Sequence, residues 1–251
     1  MTASAEGDHG PGPAPAVVDL TIWGVPPGSV PGALARMARH RRPLAAAPGL
    51  RFAKLLGTGR GARFTPRDAD PRHWALLSVW DGERAADAFR AGRVHRSWDD
   101  VSSERLDVRL APVTSRGSWA GRQPFGPLAL ADVPREDGGP VAAITRARLR
   151  PVRALSFWRA VPPVAVALHA APGVLLAIGI GEAPVGLQGT FSLWESGRAM
   201  REFAYRGAAH AEAIRRSGPS RWYAEELFAR FAVRRVEGTY AGRRVSVGGG
   251  S

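Results

Sequence analysis

The sequence predicts an α+β fold in which one β-α-β-β-α-β unit occurs twice in a single chain. Three observations predict it. A Pro-Gly turn repeats with its flanks: Leu44-Ala45-Ala46-Ala47-Pro48-Gly49-Leu50 answers Leu168-His169-Ala170-Ala171-Pro172-Gly173-Val174. A strand ending in tryptophan repeats, Leu77-Ser78-Val79-Trp80 answering Phe191-Ser192-Leu193-Trp194. Downstream, Ala85 answers Ala199, Phe89 answers Phe203, and His95 falls near the position of His210. The turns lie 124 residues apart and the tryptophans 114, so one ten-residue insertion around Arg60 to Asp70 distinguishes the copies. Two such ferredoxin-like units packed sheet to sheet give a pseudo-dimeric α+β barrel.

Each element has its own signal. Val17 to Trp23 is a β-branched run closed by Gly24 and Pro26-Pro27. Val30 to Ala46 has Leu34, Met37 and Ala38 on one side of a helix. Leu50 to Leu56 returns as a strand, Gly57 to Pro71 is a loop, and His73 to Trp80 is the third strand. Gly82 to Phe89 begins the second helix, and Leu106 to Leu110 closes the unit. In the second copy, strands are expected at Ala142 to Leu149, Val174 to Ile180, Leu187 to Trp194 and Ala232 to Tyr240. Helices are expected at Arg153 to Ala170, kinked by Pro162-Pro163, and at Gly197 to Arg216. A third is expected at Ser220 to Phe231, with Ser220 as cap and Glu225 and Glu226 in its first turns. The units are therefore residues 17–112 and 141–240. A connector (113–140) joins them, and a disordered leader (1–16) and tail (241–251) flank them.

Composition narrows the function classes. The 251 residues hold no cysteine, which excludes disulfides and thiolate ligands to zinc or haem. No apolar run reaches the ~20 residues of a membrane helix. The start lacks the pattern of a signal peptide, so a cytoplasmic protein is expected. The net charge is +13, and Lys54 is the only lysine among 35 basic residues. The arginines are scattered and no aromatic-basic platform accompanies them, so no nucleic-acid partner is expected. An arginine-rich composition accounts for much of the charge; a peripheral membrane contact is the reading that gives it a function.

No phosphate loop is present, because Gly57-Thr58-Gly59-Arg60-Gly61 is not followed by Lys-Ser or Lys-Thr. No His-Glu-x-x-His, acidic metal cluster or Gly-x-Ser-x-Gly occurs. Among the six histidines, His210 is distinctive. Phe203, Gly207, His210 and Ile214 fall on one stripe of a helix, which turns His210 inward beneath a glycine. Such a histidine is a core residue or a ligand, and in a cysteine-free chain histidine is the natural axial ligand if haem is bound. His169, near the end of a helix, is the backup. Trp80 and Trp194 are expected in the core; Phe157, Trp158 and Trp222 are candidate walls of an apolar pocket.

Over residues 17 to 240 the chain resembles the spheroidene monooxygenase family of carotenoid 2-ketolases. The resemblance runs through Gly57-Thr58-Gly59, Phe64-Thr65-Pro66, His73-Trp74, Trp119 and Pro124-Phe125. It continues through Ile144-Thr145-Arg146-Ala147, Phe157-Trp158, Gly179-Ile180-Gly181-Glu182 and Thr190-Phe191-Ser192-Leu193-Trp194. It is completed by His210-Ala211-Glu212-Ala213-Ile214-Arg215 and Trp222-Tyr223-Ala224-Glu225-Glu226-Leu227-Phe228. The resemblance implies a haem b monooxygenase that hydroxylates or ketolates an activated C–H of an apolar or amphipathic substrate. It further implies dioxygen as oxidant and a ferredoxin-type electron donor. It makes His210 the axial ligand, although Ala209 stands where the family has proline. Gln188 becomes a candidate hydrogen-bond donor to the oxidant, and Arg146 and Arg215 candidate partners of the haem propionates.

Two other readings stay open at this point. A haem enzyme of the same barrel could act on a small nitrogenous or natural-product substrate, by N-oxygenation or aldoxime dehydration. A non-catalytic ligand-binding barrel is the other. The substrate, the donor and the oligomeric state are not written in the residues.

Overall fold

A computed structural model describes residues 16–59, 68–126, 139–149, 162–182, 187–206 and 223–247. The first half contains β1 (Val17–Gly24), α1 (Val30–Arg39), α2 (Arg41–Ala45), β2 (Leu50–Gly59), β3 (Ala69–Trp80), α3 (Glu83–Arg90), α4 (Arg93–Asp99) and β4 (Glu104–Gly117). The second contains β5 (Val141–Leu149), α5 (Pro162–His169), β6 (Val174–Gly181), β7 (Leu187–Trp194), α6 (Gly197–Arg206) and β8 (Tyr223–Tyr240), followed by the short β9 (Arg243–Arg244). All pairings are antiparallel, in the order β4-β1-β3-β2-β6-β7-β5-β8-β9. β4 also pairs with β8 from Leu106–Gly238 to Gly117–Leu227, so the circuit of eight strands returns to its start.

Period-two alternation sorts the side chains. Val18, Leu20 and Ile22 of β1 join Leu77, Val108, Ile144, Phe191, Leu227 and Phe231 in one large core enclosed by the strands. Opposite-facing residues meet the helices in two separate clusters. Trp23, Leu76, Val94 and Trp98 form one in the first half; Val141, Trp194 and Met200 form the other in the second.

The repeated residues have matching geometry. Trp80 Nε1 donates to Ser78 Oγ and Trp194 Nε1 to Ser192 Oγ, both at 2.9 Å. The Trp80 ring lies 4.8 Å from Phe89, and Trp194 lies 5.4 Å from Phe203. Gly49 and Gly173 have φ of 74° and 77°. A Cβ at either would come within 2.7 Å of the Cβ of Ala85 or Ala199, so small residues are needed on both sides of the contact.

Several elements differ from the sequence expectation. The helix expected at Ser220 to Phe231 is instead the long strand β8. Leu227, Ala229 and Phe231 are buried while Phe228 is exposed, a period of two that the acidic pair Glu225-Glu226 disguises as a helix start. Of the helix expected at Arg153 to Ala170, the described part is α5 from Pro162 to His169; the rest of it before Pro162 lies outside the described residues. The first helix is divided at His40 into α1 and α2. β2 and β3 extend into the expected loop, to Gly59 and from Ala69. Trp119 and Phe125, in the stretch expected to be a connector, are each 1% exposed within the core. Beyond Tyr240, β9 pairs with β8 and Val245 packs into the core.

Candidate functional site

Two clusters of buried charge close the ends of the strand circuit, and both are built by one six-residue repeat. Gly117-Ser118-Trp119-Ala120-Gly121-Arg122 answers Gly238-Thr239-Tyr240-Ala241-Gly242-Arg243. Gly117 and Gly238 take positive φ, as do Ala120, Gly121, Ala241 and Gly242. The Gly121 amide donates to Glu225 at 2.7 Å; the amides of Ala241 and Gly242 donate to Glu104 at 3.1 and 3.0 Å. Glu225 and Glu104 occupy matching positions on β8 and β4, each two residues before a core leucine, Leu227 or Leu106.

The Trp119 cluster holds permanent charges. Arg146 is ion-paired with Glu225 and, at 3.1 Å, with Glu182, and lies over the Trp119 ring. Lys54 pairs with Glu182 at 2.6 Å, and Trp119 Nε1 donates to Glu182 at 2.6 Å. Burial opposes ionisation of Glu225. The amides of Gly121 and Ala120 and the Arg146 guanidinium outweigh it and hold the pKa at about 2.

The Tyr240 cluster holds a titratable charge. His73, 5% exposed, lies between Asp70 (Nδ1 to Oδ2, 2.7 Å) and Glu104 (Nε2 to Oε1, 2.8 Å). Burial lowers its pKa, but the two carboxylates prevail and raise it overall. Tyr240 lies 4.7 Å from the imidazole, and burial with the nearby carboxylates pushes its phenol up to about 12. A cavity of about 600 Å³ opens here, lined by Asp70, His73, Glu104, Tyr240, His169 and Ala177 among others.

The faces that meet the helices differ between the halves, and this difference locates a candidate site. In the first half, register places three rows across β2, β3, β1 and β4: Ala53–Ser78–Asp19–Arg109, Leu55–Leu76–Thr21–Asp107 and Gly57–Trp74–Trp23–Arg105. The matching rows of β6, β7, β5 and β8 are Ala177–Ser192–Ala143–Arg230, Gly179–Thr190–Thr145–Phe228 and Gly181–Gln188–Ala147–Glu226. Two tryptophans thus become glutamine and alanine, and two leucines become threonine and glycine.

In the first half the bulk is packed solid. Trp23 stacks on Trp98 at 5.2 Å and donates to Asp99 at 2.8 Å, and Thr21 Oγ1 donates to Asp107 at 2.8 Å. Arg109 pairs with Asp19 and Asp87. In the second half Thr145 and Phe228 are exposed and Ala147 is half-buried. At matched register that face carries Ala147 and Gln188 where the first half has indole rings. The 600 Å³ cavity reaches this face at its Ala177 edge; Thr145 and Ala147 do not line it.

The sequence-selected residues divide accordingly. Gln188 is in register with Ala147 and Gly181 on the small-residue face. Arg146, from the adjacent position on β5, is committed to the Trp119 cluster with its charge matched by Glu182 and Glu225. His169 ends α5, exposed, on the cavity wall. His210, Arg215, Phe157, Trp158 and Trp222 lie outside the described residues.

Of the remaining described histidines, His73 and His95 are engaged elsewhere, while His40 keeps a buried Nδ1 without a hydrogen-bond partner. Both nitrogens of His73 face carboxylates. His95 accepts from Arg105 at 3.2 Å and packs edge-on to Trp23; burial, then Arg105 and Arg90, lower its pKa to about 3. His40 packs against Trp98, and burial, Arg36 and Arg39 lower its pKa. The paired clusters and the face exchange were missed in the sequence. The Gly-x-x-Ala-Gly-Arg repeat was the signal for the first, and Trp23 against Ala147 at matched register the signal for the second.

Comparison with known proteins decides the family. The chain is 36% identical over 216 residues to spheroidene monooxygenase of Rhodobacter capsulatus, covering 86% of this chain and 88% of that one. It is 37% identical over 230 residues to spheroidene monooxygenase of Rubrivivax gelatinosus, covering 91% and 86%. The chain belongs to the spheroidene monooxygenase family. It is an oxygenase, and as such acts on a small molecule with dioxygen. No protein-family model matches it. Among solved structures, an aldoxime dehydratase has the same fold at TM-score 0.59 and 8% identity, covering 93% of this chain and 89% of that one. An aldoxime dehydratase in complex with butyraldoxime has TM-score 0.60 at 9% identity, with 87% and 79% covered.

Proposed function

We propose that this protein is a haem-dependent monooxygenase that hydroxylates or ketolates an activated C–H of an apolar substrate. Residues 17–112 and 141–240 form the two ferredoxin-like repeats of one pseudo-dimeric barrel, and the second repeat would hold the haem. The observation that carries the reading is the exchange of Trp23, Trp74, Leu55 and Leu76 for Ala147, Gln188, Gly179 and Thr190 at matched register. At these four positions the second half carries the smaller side chains, while Phe228 stands where the first half has Asp107.

The donor set fits haem through histidine. The chain has no cysteine. His73 and His95 have polar partners at one or both ring nitrogens, and His40 lies under α1 in the first half. His210 is therefore the proposed axial ligand, with His169 as the alternative to be tested beside it. Haem, when bound, supplies dioxygen activation, and the protein supplies position and a dry pocket. Gln188, in the Ala147 row, would supply a hydrogen-bonding group to the oxidant, and Arg215 would pair with the haem propionates, whereas Arg146 keeps the Trp119 cluster closed. Phe157, Trp158 and Trp222 hold the substrate and exclude water; each Å² of apolar area they cover contributes about 25 cal/mol. A ferredoxin-type donor brings the electrons.

The test is turnover of an apolar polyene with haem-loaded protein, reductant and ¹⁸O₂. Label is expected in the first, hydroxylated product, and turnover should stop without oxygen or reductant. An unchanged rate under strict anaerobiosis without peroxide overturns the oxygenase reading in favour of a dehydratase.

A further inference from the structure

The basic charge of this chain is unevenly matched by acid. No aspartate or glutamate occurs between Asp19 and Asp68. Within that stretch α1 and α2 present Arg39, Arg41 and Arg42, all exposed. Among the described residues these three make no ion pair, whereas Arg51, Arg90, Arg105, Arg109, Arg146 and Arg198 each meet a carboxylate.

The same helix carries apolar residues on its outer side. Ala33, Met37 and His40 turn toward the sheet, with Ala33 and Met37 in the Trp23–Trp98 cluster. Pro31, Leu34 and Ala38 lie on the opposite stripe and are exposed, Leu34 at 54%. Periodicity of 3.6 puts these three on one line that runs toward Arg41 and Arg42. His40, between the arginines, is held neutral by burial and by Arg36 and Arg39, so it adds no titrating charge to the patch. The exposed part of α1–α2 thus consists of a leucine, two prolines and two alanines bordered by unmatched guanidinium groups.

We propose that the exposed side of α1–α2 docks the protein on an anionic lipid surface. Leu34, Pro31 and Ala38 enter the headgroup boundary, and Arg39, Arg41 and Arg42 meet lipid phosphates. Guanidinium groups pair with phosphate in two-pronged fashion. An apolar stripe beside cations that no carboxylate pairs among the described residues is the composition of a helix that lies in a bilayer interface. An acidic protein would match the arginines, but would leave Leu34 without an apolar partner. The proposal does not depend on haem or on the second-half face.

The experiment is co-sedimentation of the full chain with vesicles of phosphatidylcholine alone or mixed with phosphatidylglycerol. Binding is expected only to the mixed vesicles, and it should weaken as salt rises. Each arginine near such a surface is worth about 1 kcal/mol, so R39Q/R41Q/R42Q should lose about a hundredfold in affinity. Leu34→Ser should lose a few-fold at unchanged charge. R234Q/R243Q/R244Q removes the same charge from exposed positions elsewhere and should bind as the unaltered protein does. Circular dichroism confirms that each variant is folded. Equal losses in both triple variants, or unaltered binding in the first, overturn the proposal. So does loss of binding to a small acidic ferredoxin-type protein with vesicle binding intact, which would make the patch a protein interface.

Discussion

Placing tryptophan at position 147 gives the second half the residue that its twin, Trp23, has in the first. In the first half that indole is fully buried, stacked on Trp98 and hydrogen-bonded to Asp99. Trp23→Ala empties a packed site and should cost about 3–5 kcal/mol, or roughly 6–20 °C in melting temperature for a chain of this size. Ala147→Trp acts on an open face. The side chain it adds covers about 150–250 Å² at a half-buried position, and stability should change by less than about 1 kcal/mol. Haem uptake and oxygenation should be lost, because the indole occupies the space assigned to the ring. Thermal melting and haem titration on the two variants provide the assay. Ala147→Trp protein that takes up haem and turns over normally would refute the location. Destabilisation as large as that of Trp23→Ala would show that the second face is packed after all.

Three further outcomes follow from the end clusters. His73 has its folded pKa raised, so its contribution is complete below its ordinary value near 6.5 and fades as pH rises through the folded value. Asp70 and Glu104 are lowered, so theirs is lost in acid; melting should be highest between about pH 5 and 6.5, and His73→Gln should flatten the fall above that range, which a matched pH series of melts will show or deny. Arg146→Met leaves Glu182 and Glu225 without their shared cation and should cost about 3–5 kcal/mol by urea titration; a loss under about 1 kcal/mol would mean the cluster is not a closed unit. Gly238→Ala puts a Cβ 2.0 Å from the Arg105 carbonyl at φ +111°, and Gly117→Ala puts one 2.1 Å from that of Glu226 at φ +92°. Each should lose at least about 2 kcal/mol, and equal stability to the unaltered protein in either would argue against the turn geometry.

Much of the fold was legible because its signals are local. The Pro-Gly turns need glycine at positive φ against Ala85 or Ala199, and the Trp80 and Trp194 strands alternate cleanly. β8 was not legible. Glu225 and Glu226 look like the acidic first turn of a helix, yet Glu225 points inward to amides supplied by Gly121 and Ala120, over a hundred residues away. The site was less legible: His210 lies outside the described residues, and the small-residue face of the second half has no local signal. Ala147 and Gly179 are unremarkable until β5 and β6 are set in register against β1 and β2, where indole and leucine stand. Arg146 shows the converse: the family resemblance makes it a candidate partner of haem propionates, while the structure gives it two carboxylates of its own.

The central claim is that iron is held by a histidine beside the second-half face. The absorption spectrum of purified protein loaded with haem tests it most directly, taken in parallel on unaltered, His210→Ala and His169→Ala protein. The account predicts a Soret band that His169→Ala retains and His210→Ala loses or shifts, with both variants folded. A band unchanged in His210→Ala and lost in His169→Ala would move the iron to the cavity beside Tyr240. No band in the unaltered protein would contradict the claim outright.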